Sequence, residues 1–260
     1  MKRLLIFLFA FLGLFSNSYS QNHDFFIIVY NNVPSDNALK TDWGFSVWIE
    51  KDGKTILFDT GARPDILKDN LAKLALDPTK ISEVVISHEH QDHTGGLGFI
   101  LKQVNEGTQV FLPNDFNLKL KSDFSELNFT VNDRYREIAD GVWLTEIFVN
   151  PTNGIKEQAL VLEKDKKLIV ITGCAHPLIN DMCESITEHF PDYNYELVTG
   201  GFHLISTKEE AVIDISNKIK NLGFAGIAPS HCTGEESINV FKKEWGENFV
   251  ALNLGDSYKF

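Results

Sequence analysis

The sequence predicts an α/β chain, α+β in detail, folded as a four-layer αββα sandwich. Short β-rich runs punctuated by Gly, Pro, Asn and Asp recur throughout. Hairpins come first and strands mixed with helices follow, which implies two packed sheets with helices on their outer faces. Behind an N-terminal leader about 240 residues remain, enough for one sizeable domain spanning 21–260. No internal repeat, low-complexity tract or linker interrupts them.

Each element follows in order. Residues 25–30 open the mature chain as a buried strand. Strands at 44–50 and 55–58 flank Lys51-Asp52-Gly53-Lys54, whose Asp-Gly pair is a strong hairpin signal. Residues 64–76 read as a helix, with Ile66, Leu67, Leu71, Leu74 and Ala75 at helical spacing and Pro78 just beyond. A strand at 84–86 follows. Later strands are expected at 109–112, 127–131, 142–147, 159–163 and 168–172, the last two joined by a polar hairpin tip. Helices at 179–190 and 208–222 then alternate with strands at 195–199, 225–229 and 249–252. The stretch 114–129, with Phe116, Phe124 and Phe129, reads as ordinary core or as a lip over a site, with core favoured.

Composition narrows the function classes. Lys2 and Arg3 precede an apolar run from Leu4 to Phe15, and Ser18 and Ser20 occupy the small positions before Gln21. Residues 1–20 therefore read as a secretory signal, too short for a comfortable transmembrane helix, and predict a periplasmic or secreted protein without stable membrane insertion. The formal charge is −12, and −14 once that leader is removed, with 22 basic against 36 acidic residues. So acidic a chain argues against a nucleic-acid partner and leaves a small molecule as the expected one. Three cysteines, Cys174, Cys183 and Cys232, are too few and irregular for a disulfide framework, although one bridge is possible in an oxidising compartment.

The chemistry concentrates in Ser87-His88-Glu89-His90-Gln91-Asp92-His93-Thr94-Gly95-Gly96, directly after an apolar run. Imidazoles and a carboxylate at this density suit a divalent transition metal, zinc above all, with manganese or iron possible. Adjacent side chains point in different directions, so one turn can serve two neighbouring ions. Glu89 and Gln91 are expected to face away. His176, His203 and His231 also sit in Gly- or Pro-bearing segments at predicted strand ends, where a rigid scaffold usually carries its site. His23 and His189 lack that setting and read as surface residues. Thr94-Gly95-Gly96-Leu97 is expected to start a helix, offering free N–H groups to an anion or serving only a tight turn.

Leu57-Phe58-Asp59-Thr60-Gly61, the His88–His93 cluster, the segment 173–176 and His231 together resemble the metallo-β-lactamase-fold hydrolase superfamily, over essentially the whole mature chain. The resemblance implies the αββα fold a second time. It implies that His88 and His90 bind a first metal, that Asp92 and His93 bind a second, and that His231 completes the latter. Asp59 resembles the carboxylate that orients a ligand histidine. The middle of the pattern departs from the common form. His176 is the best third ligand for the first metal, and Cys174 stands where many members carry a bridging carboxylate. It reads either as a bridging thiolate or as a small buried residue. Gly173-Cys174-Ala175-His176-Pro177, Gly200-Gly201-Phe202-His203-Leu204 and Ser230-His231-Cys232-Thr233-Gly234 resemble the dihydropterin-ribofuranosylaminobenzene-phosphate-synthase-like branch. Synthesis of an intracellular pterin cofactor, however, does not fit a signal peptide.

His203 has no counterpart in the basic pattern. Its roles are oxyanion donor, general acid or substitute ligand, with the first two favoured. Cys232 is expected to point away from the site. The expected function is an exported dinuclear hydrolase whose metal-activated hydroxide attacks an ester, lactone, amide or phosphoester, with Asp92 and His203 catalytic. An iron-dependent oxygenase and a non-catalytic ligand-binding protein are the alternatives.

Overall fold

The computed structural model describes residues 24–35, 38–113 and 118–260, with only the backbone of 118–120. The leader, His23 and Phe116 lie outside the described residues. Two sheets form. In the first, Ser257–Lys259, Phe25–Tyr30, Ser46–Lys51, Lys54–Phe58, Glu83–Val85, Gln109–Leu112 and Asn128–Val131 lie side by side in that order. In the second the order is Gly226–Ser230, Asn194–Gly201, Lys167–Thr172, Leu160–Lys164, Val142–Leu144 and Arg136–Ala139.

Strand faces alternate with period two, and here both faces are buried, so the strands read as near-continuous apolar runs. Val47, Ile49, Ile56 and Phe58 face Leu160, Leu162, Ile169 and Ile171 between the sheets. Trp48, Leu57 and Val84 turn outward onto Ile66, Leu67 and Leu71 of the helix Pro64–Lys73. On the other side Leu168, Val170 and Val198 pack against Met182 and Ile186 of Ile179–His189 and against Val212 and Ile219 of Glu209–Asn221. Three apolar cores between four layers complete the αββα sandwich. Among the described residues, no helix is long and apolar enough to cross a membrane.

Each sheet begins antiparallel and ends parallel. Lys54–Phe58, Glu83–Val85, Gln109–Leu112 and Asn128–Val131 run parallel, as do Lys167–Thr172, Asn194–Gly201 and Gly226–Ser230. Their carboxyl ends gather at one end of the sandwich, where the sequence places its histidines and where open α/β sheets bind ligands.

Some expectations need correction. Residues 249–252 form no strand, because only the bridge Ile227↔Phe249 links them to their neighbour. A turn closed by Asp256 N–H to the Asn253 carbonyl (3.0 Å) then redirects the chain into the edge strand Ser257–Lys259. The strand expected at 142–147 stops at Leu144, and Arg136–Ala139 and the ribbon of Phe148–Val149 with Lys156–Glu157 lack the periodicity that would announce them. A short helix, Gln91–Thr94, already forms within the cluster, and the helix expected after it begins at Leu97 as Leu97–Ile100. Gly95 and Gly96 N–H groups bond the Gln91 and Gly61 carbonyls, and side chains there would overlap the Ala62 and Thr60 carbonyls. Those glycines serve close backbone approach. Phe124 and Phe129 pack onto the outer core of the first sheet, so core is the better reading of the described part of 114–129.

Candidate metal centre

Asp59 ends the strand Lys54–Phe58 in the left-handed region (φ 57) and is fully buried. Its Oδ1 accepts from Ser87 N–H (2.7 Å), and its Oδ2 accepts from Ser87 Oγ (2.7 Å) and pairs with His93 Nδ1 (2.6 Å). With Nδ1 held there, Nε2 of His93 faces the site. Burial pulls the His93 imidazole down, but the charges of Asp59 and Asp92 outweigh it and push it up to about 9. His88, on the same turn, has Nδ1 2.9 Å from Ser87 Oγ, which leaves its Nε2 directed inward.

The second sheet closes the site one strand at a time. After Lys167–Thr172, Gly173 lies so near Ser87 that a Cβ would overlap its hydroxyl. Cys174 follows, with its Sγ 3.2 Å from His93 Nε2, and then His176, whose Nε2 is 3.1 Å from His90 Nδ1. After Asn194–Gly201, the ring of His203 sits 4.2 Å from that of His176. After Gly226–Ser230, His231 Nε2 lies 3.3 Å from Asp92 Oδ2. Ala175, His203 and His231 share the left-handed conformation (φ 49 to 55). Such backbones cost about 1–3 kcal/mol each and cluster where a site must be aimed.

Two groups of ligand-competent atoms result, each within 4.8 Å of one another: His88, His90 and His176; and Asp92, His93, Cys174 and His231. Cys174 also falls within 4.8 Å of His176 and His203 and so stands between the groups. Every histidine singled out in the sequence at a strand end is here. His189 is exposed and stacks on Tyr135, while Glu89 and Gln91 point to solvent.

The residues present fit metal ions. His88 Nε2 and His176 Nδ1 are buried, and among the described residues neither has a hydrogen-bond partner. Unpaired buried polar atoms are costly, and an ion would satisfy them. Burial and the neighbouring imidazoles push His88 well below its usual value and His176 to about 3, which keeps both neutral as ligation requires. Burial alone would raise Asp92, but the hydrogen bond from His231 and the charge of His93 hold it well below the usual carboxylate range.

Cys232 stands outside the ligand groups, in the structural role expected of it: its Sγ accepts from His203 N–H (3.3 Å) and lies 3.6 Å from the Cys174 carbonyl. The left-handed turn at His231 swings the next side chain behind the wall that Cys174 and His203 form. All three cysteines are free thiols and buried.

Three residues escaped the sequence reading. Glu157 is fully buried, and its carboxylate accepts 2.8 Å hydrogen bonds from the N–H groups of Cys174, Ala175 and His176, clamping the whole ligand loop. Burial pushes its carboxyl up to about 7 against the pull of those three donors. Beside it, Gln158 bonds the carbonyls of Ile86 and Ser87, so this pair joins the two halves of the site. Asn32 holds His231 Nδ1 through Oδ1 (2.7 Å) and so fixes which nitrogen faces Asp92. A polar pair just before an apolar strand, and an Asn pair just after one, were the available signals.

Residues 43–176 match the metallo-beta-lactamase superfamily model. The 7,8-dihydropterin-6-methyl-4-(beta-D-ribofuranosyl)-aminobenzene-5'-phosphate synthase of Methanocaldococcus jannaschii is 29% identical over 261 aligned positions, covering 83% of this chain and 88% of that protein. The crystal structure of Tm1679, a metal-dependent hydrolase of the β-lactamase superfamily, superposes with a TM-score of 0.77 at 27% identity, covering 92% of this chain and 99% of that one. The metallo-β-lactamase-fold protein YhfI of Bacillus subtilis shares the fold, with a TM-score of 0.64 at 12% identity over 92% of this chain and all of that one.

Proposed function

The chain belongs to the metallo-β-lactamase superfamily, and on that footing we propose that it is an exported hydrolase dependent on two divalent metal ions. The observation that carries this reading is the pair of abutting ligand groups around Cys174. His88, His90 and His176 would hold one ion, and Asp92, His93 and His231 the other, with Cys174 able to reach between them. A thiolate beside imidazoles favours zinc, with manganese or iron as the other candidates. Bound ions would supply Lewis-acid activation of water and of the substrate oxygen.

The chain's own residues do the rest. Asp59 and Asn32 fix the outward nitrogens of His93 and His231. Asp92, kept ionised, orients the attacking water and can accept its proton at Oδ2. His203 is exposed beside His176 and carries a proton more readily than usual, because its contact with Cys232 raises it. It is placed to donate to the oxygen on which charge develops. The scissile group is an ester, lactone, amide or phosphoester of a small molecule. The charged start and apolar run of the first twenty residues support a periplasmic or secreted location, and residues 21–260 form the working domain.

Elemental analysis of natively purified protein should find close to two ions per chain. Replacing His90 or His93 with Ala should remove one or both, together with turnover on a panel of esters, lactones and phosphodiesters. Full activity in metal-free His90→Ala protein would sink the proposal.

A further inference from the structure

Four large apolar side chains are conspicuously exposed among the described residues: Trp43 (44%), Val149 (51%), Leu178 (49%) and Ile205 (51%). Single exposed apolar residues are ordinary on any surface. These are not scattered. Trp43 lies over His231, with ring centroids 4.8 Å apart. Leu178 is two residues beyond His176, and Ile205 two beyond His203 and against Gly234. Val149 precedes Asn150, whose Nδ2 bonds the His176 carbonyl (2.5 Å). Each therefore stands on, or directly beside, a loop that carries a site histidine.

Charge completes the picture. The segments 87–96, 173–180, 200–207 and 230–237 contain no Lys or Arg. Exposed Glu89, Glu235 and Glu236 lie within them instead. Arg63, the cation nearest the Asp59 turn in sequence, is engaged by Asp65 (2.8 Å). The metal ions can receive the oxygens of the group being hydrolysed. A second, distal anionic group such as a phosphate would meet mainly apolar and acidic surface, because the exposed lysines at its margin, Lys156 opposite Val149 and Lys208 three residues beyond Ile205, stand outside these segments.

We propose that this rim binds an uncharged apolar acyl or aryl group, so that the substrate is a neutral carboxylic ester or lactone carrying such a group. The inference rests on the hydrolase reading and narrows it. Water adds at the carbonyl carbon, the acyl C–O bond breaks, and the departing alkoxide takes up a proton, giving a carboxylate and an alcohol. No further reactant is needed. Leu178 has a backbone rarely adopted by a bulky residue (φ 92), which holds its side chain out beside the site.

The test uses the metal-loaded protein and p-nitrophenyl esters from acetate to decanoate, with the p-nitrophenyl monoester of glutarate, whose far end is a carboxylate, as the anionic comparison. kcat/KM should rise about threefold per added methylene until the rim is covered, and the anionic ester should be the poorest substrate for its length. The triple variant Trp43→Ser/Leu178→Ser/Ile205→Ser should flatten that slope while retaining its metal ions. Binding of the neutral fluorophore N-phenyl-1-naphthylamine, read with and without metal, should weaken at least tenfold in the same variant. A flat chain-length profile in the parent, or a preference for the anionic ester, overturns the apolar rim and leaves the hydrolase reading standing. Fluorophore binding that is lost in the variant, in a metal-loaded parent that cleaves no ester, lactone, amide or phosphoester, supports the rim and overturns the hydrolase reading.

Discussion

In the first half of the chain, one turn after the strand Glu83–Val85 carries His88, His90, Asp92 and His93. In the second half, three successive parallel strands deliver Cys174 with His176, then His203, then His231. The two halves share a plan, antiparallel strands leading into parallel ones with helices outside. They differ in how function is distributed. The first half concentrates its ligands on a short piece of backbone whose geometry is local. The second spreads them over nearly sixty residues and relies on the sheet to converge them. Each half then needs a different brace: Asp59 aims one side chain of the compact turn, whereas Glu157 grips the backbone of an entire loop.

That contrast can be broken by exchanging one oxygen for a nitrogen in each brace. Glu157→Gln would set an amide N–H against one of the three backbone donors, leaving a buried donor unsatisfied at a cost of about 1–3 kcal/mol. Because Cys174 and His176 ride on the gripped loop and belong to different ligand groups, both ions should be held more weakly, by about 100-fold. Asp59→Asn should act mainly on one group. It sets an amide N–H against His93 Nδ1, so affinity should fall about 10- to 100-fold for the Asp92–His93–His231 ion and less for the other, whose His88 is reached only through Ser87 Oγ. Stepwise chelator competition on each variant resolves the two ions. Equal loss of both ions in Asp59→Asn would erase the distinction between a local and a distributed brace.

A smaller effect sharpens the same comparison. Asn32 sits at the end of the first sheet's strand Phe25–Tyr30 and aims a ligand of the second half, His231, 199 residues away. Asn32→Ala removes the acceptor for Nδ1 and allows the imidazole to present either nitrogen. Affinity for the ion beside His231 should fall about tenfold. The Nε2 and Nδ1 resonances of His231 should report mixed tautomers, a signature that mere loosening of the fold would not produce.

The same contrast explains what could be read from sequence. Asp59-Thr60-Gly61 and the His88–His93 turn are legible because their residues are neighbours and their spacing is the geometry. The αββα layers are legible because alternating burial leaves near-continuous apolar strands with turn residues between them. Glu157 and Asn32 were missed for the opposite reason. Each looks like an ordinary polar residue beside a loop, and its partners are set by sheet packing. The edge strand Ser257–Lys259 was displaced from its expected place because a turn, rather than apolar periodicity, positions it.

The halves are also tied together at the end of the sandwich away from the site, and there the expected consequence is stability alone. Asp24, just before the first strand, accepts from Asp52 N–H (3.0 Å) and pairs with Lys164 of the second sheet (2.9 Å). Burial would raise its carboxyl, but the Asp52 N–H and Lys164 outweigh it and lower the group below its usual value. A lowered native pKa means that this tie stabilises above the unfolded value, near 3.9, and is lost as pH falls through the native one. Asp24→Asn should therefore cost about 1 kcal/mol at neutral pH, with the two proteins converging as pH falls through the lowered native value. Denaturant unfolding across that range measures it. Metal affinity should not change, because the tie lies a full strand length from Asp59 and His231. A loss of metal affinity in Asp24→Asn would mean that the two ends of the sandwich are coupled, and that the site depends on how the sheets are held together as well as on its local braces.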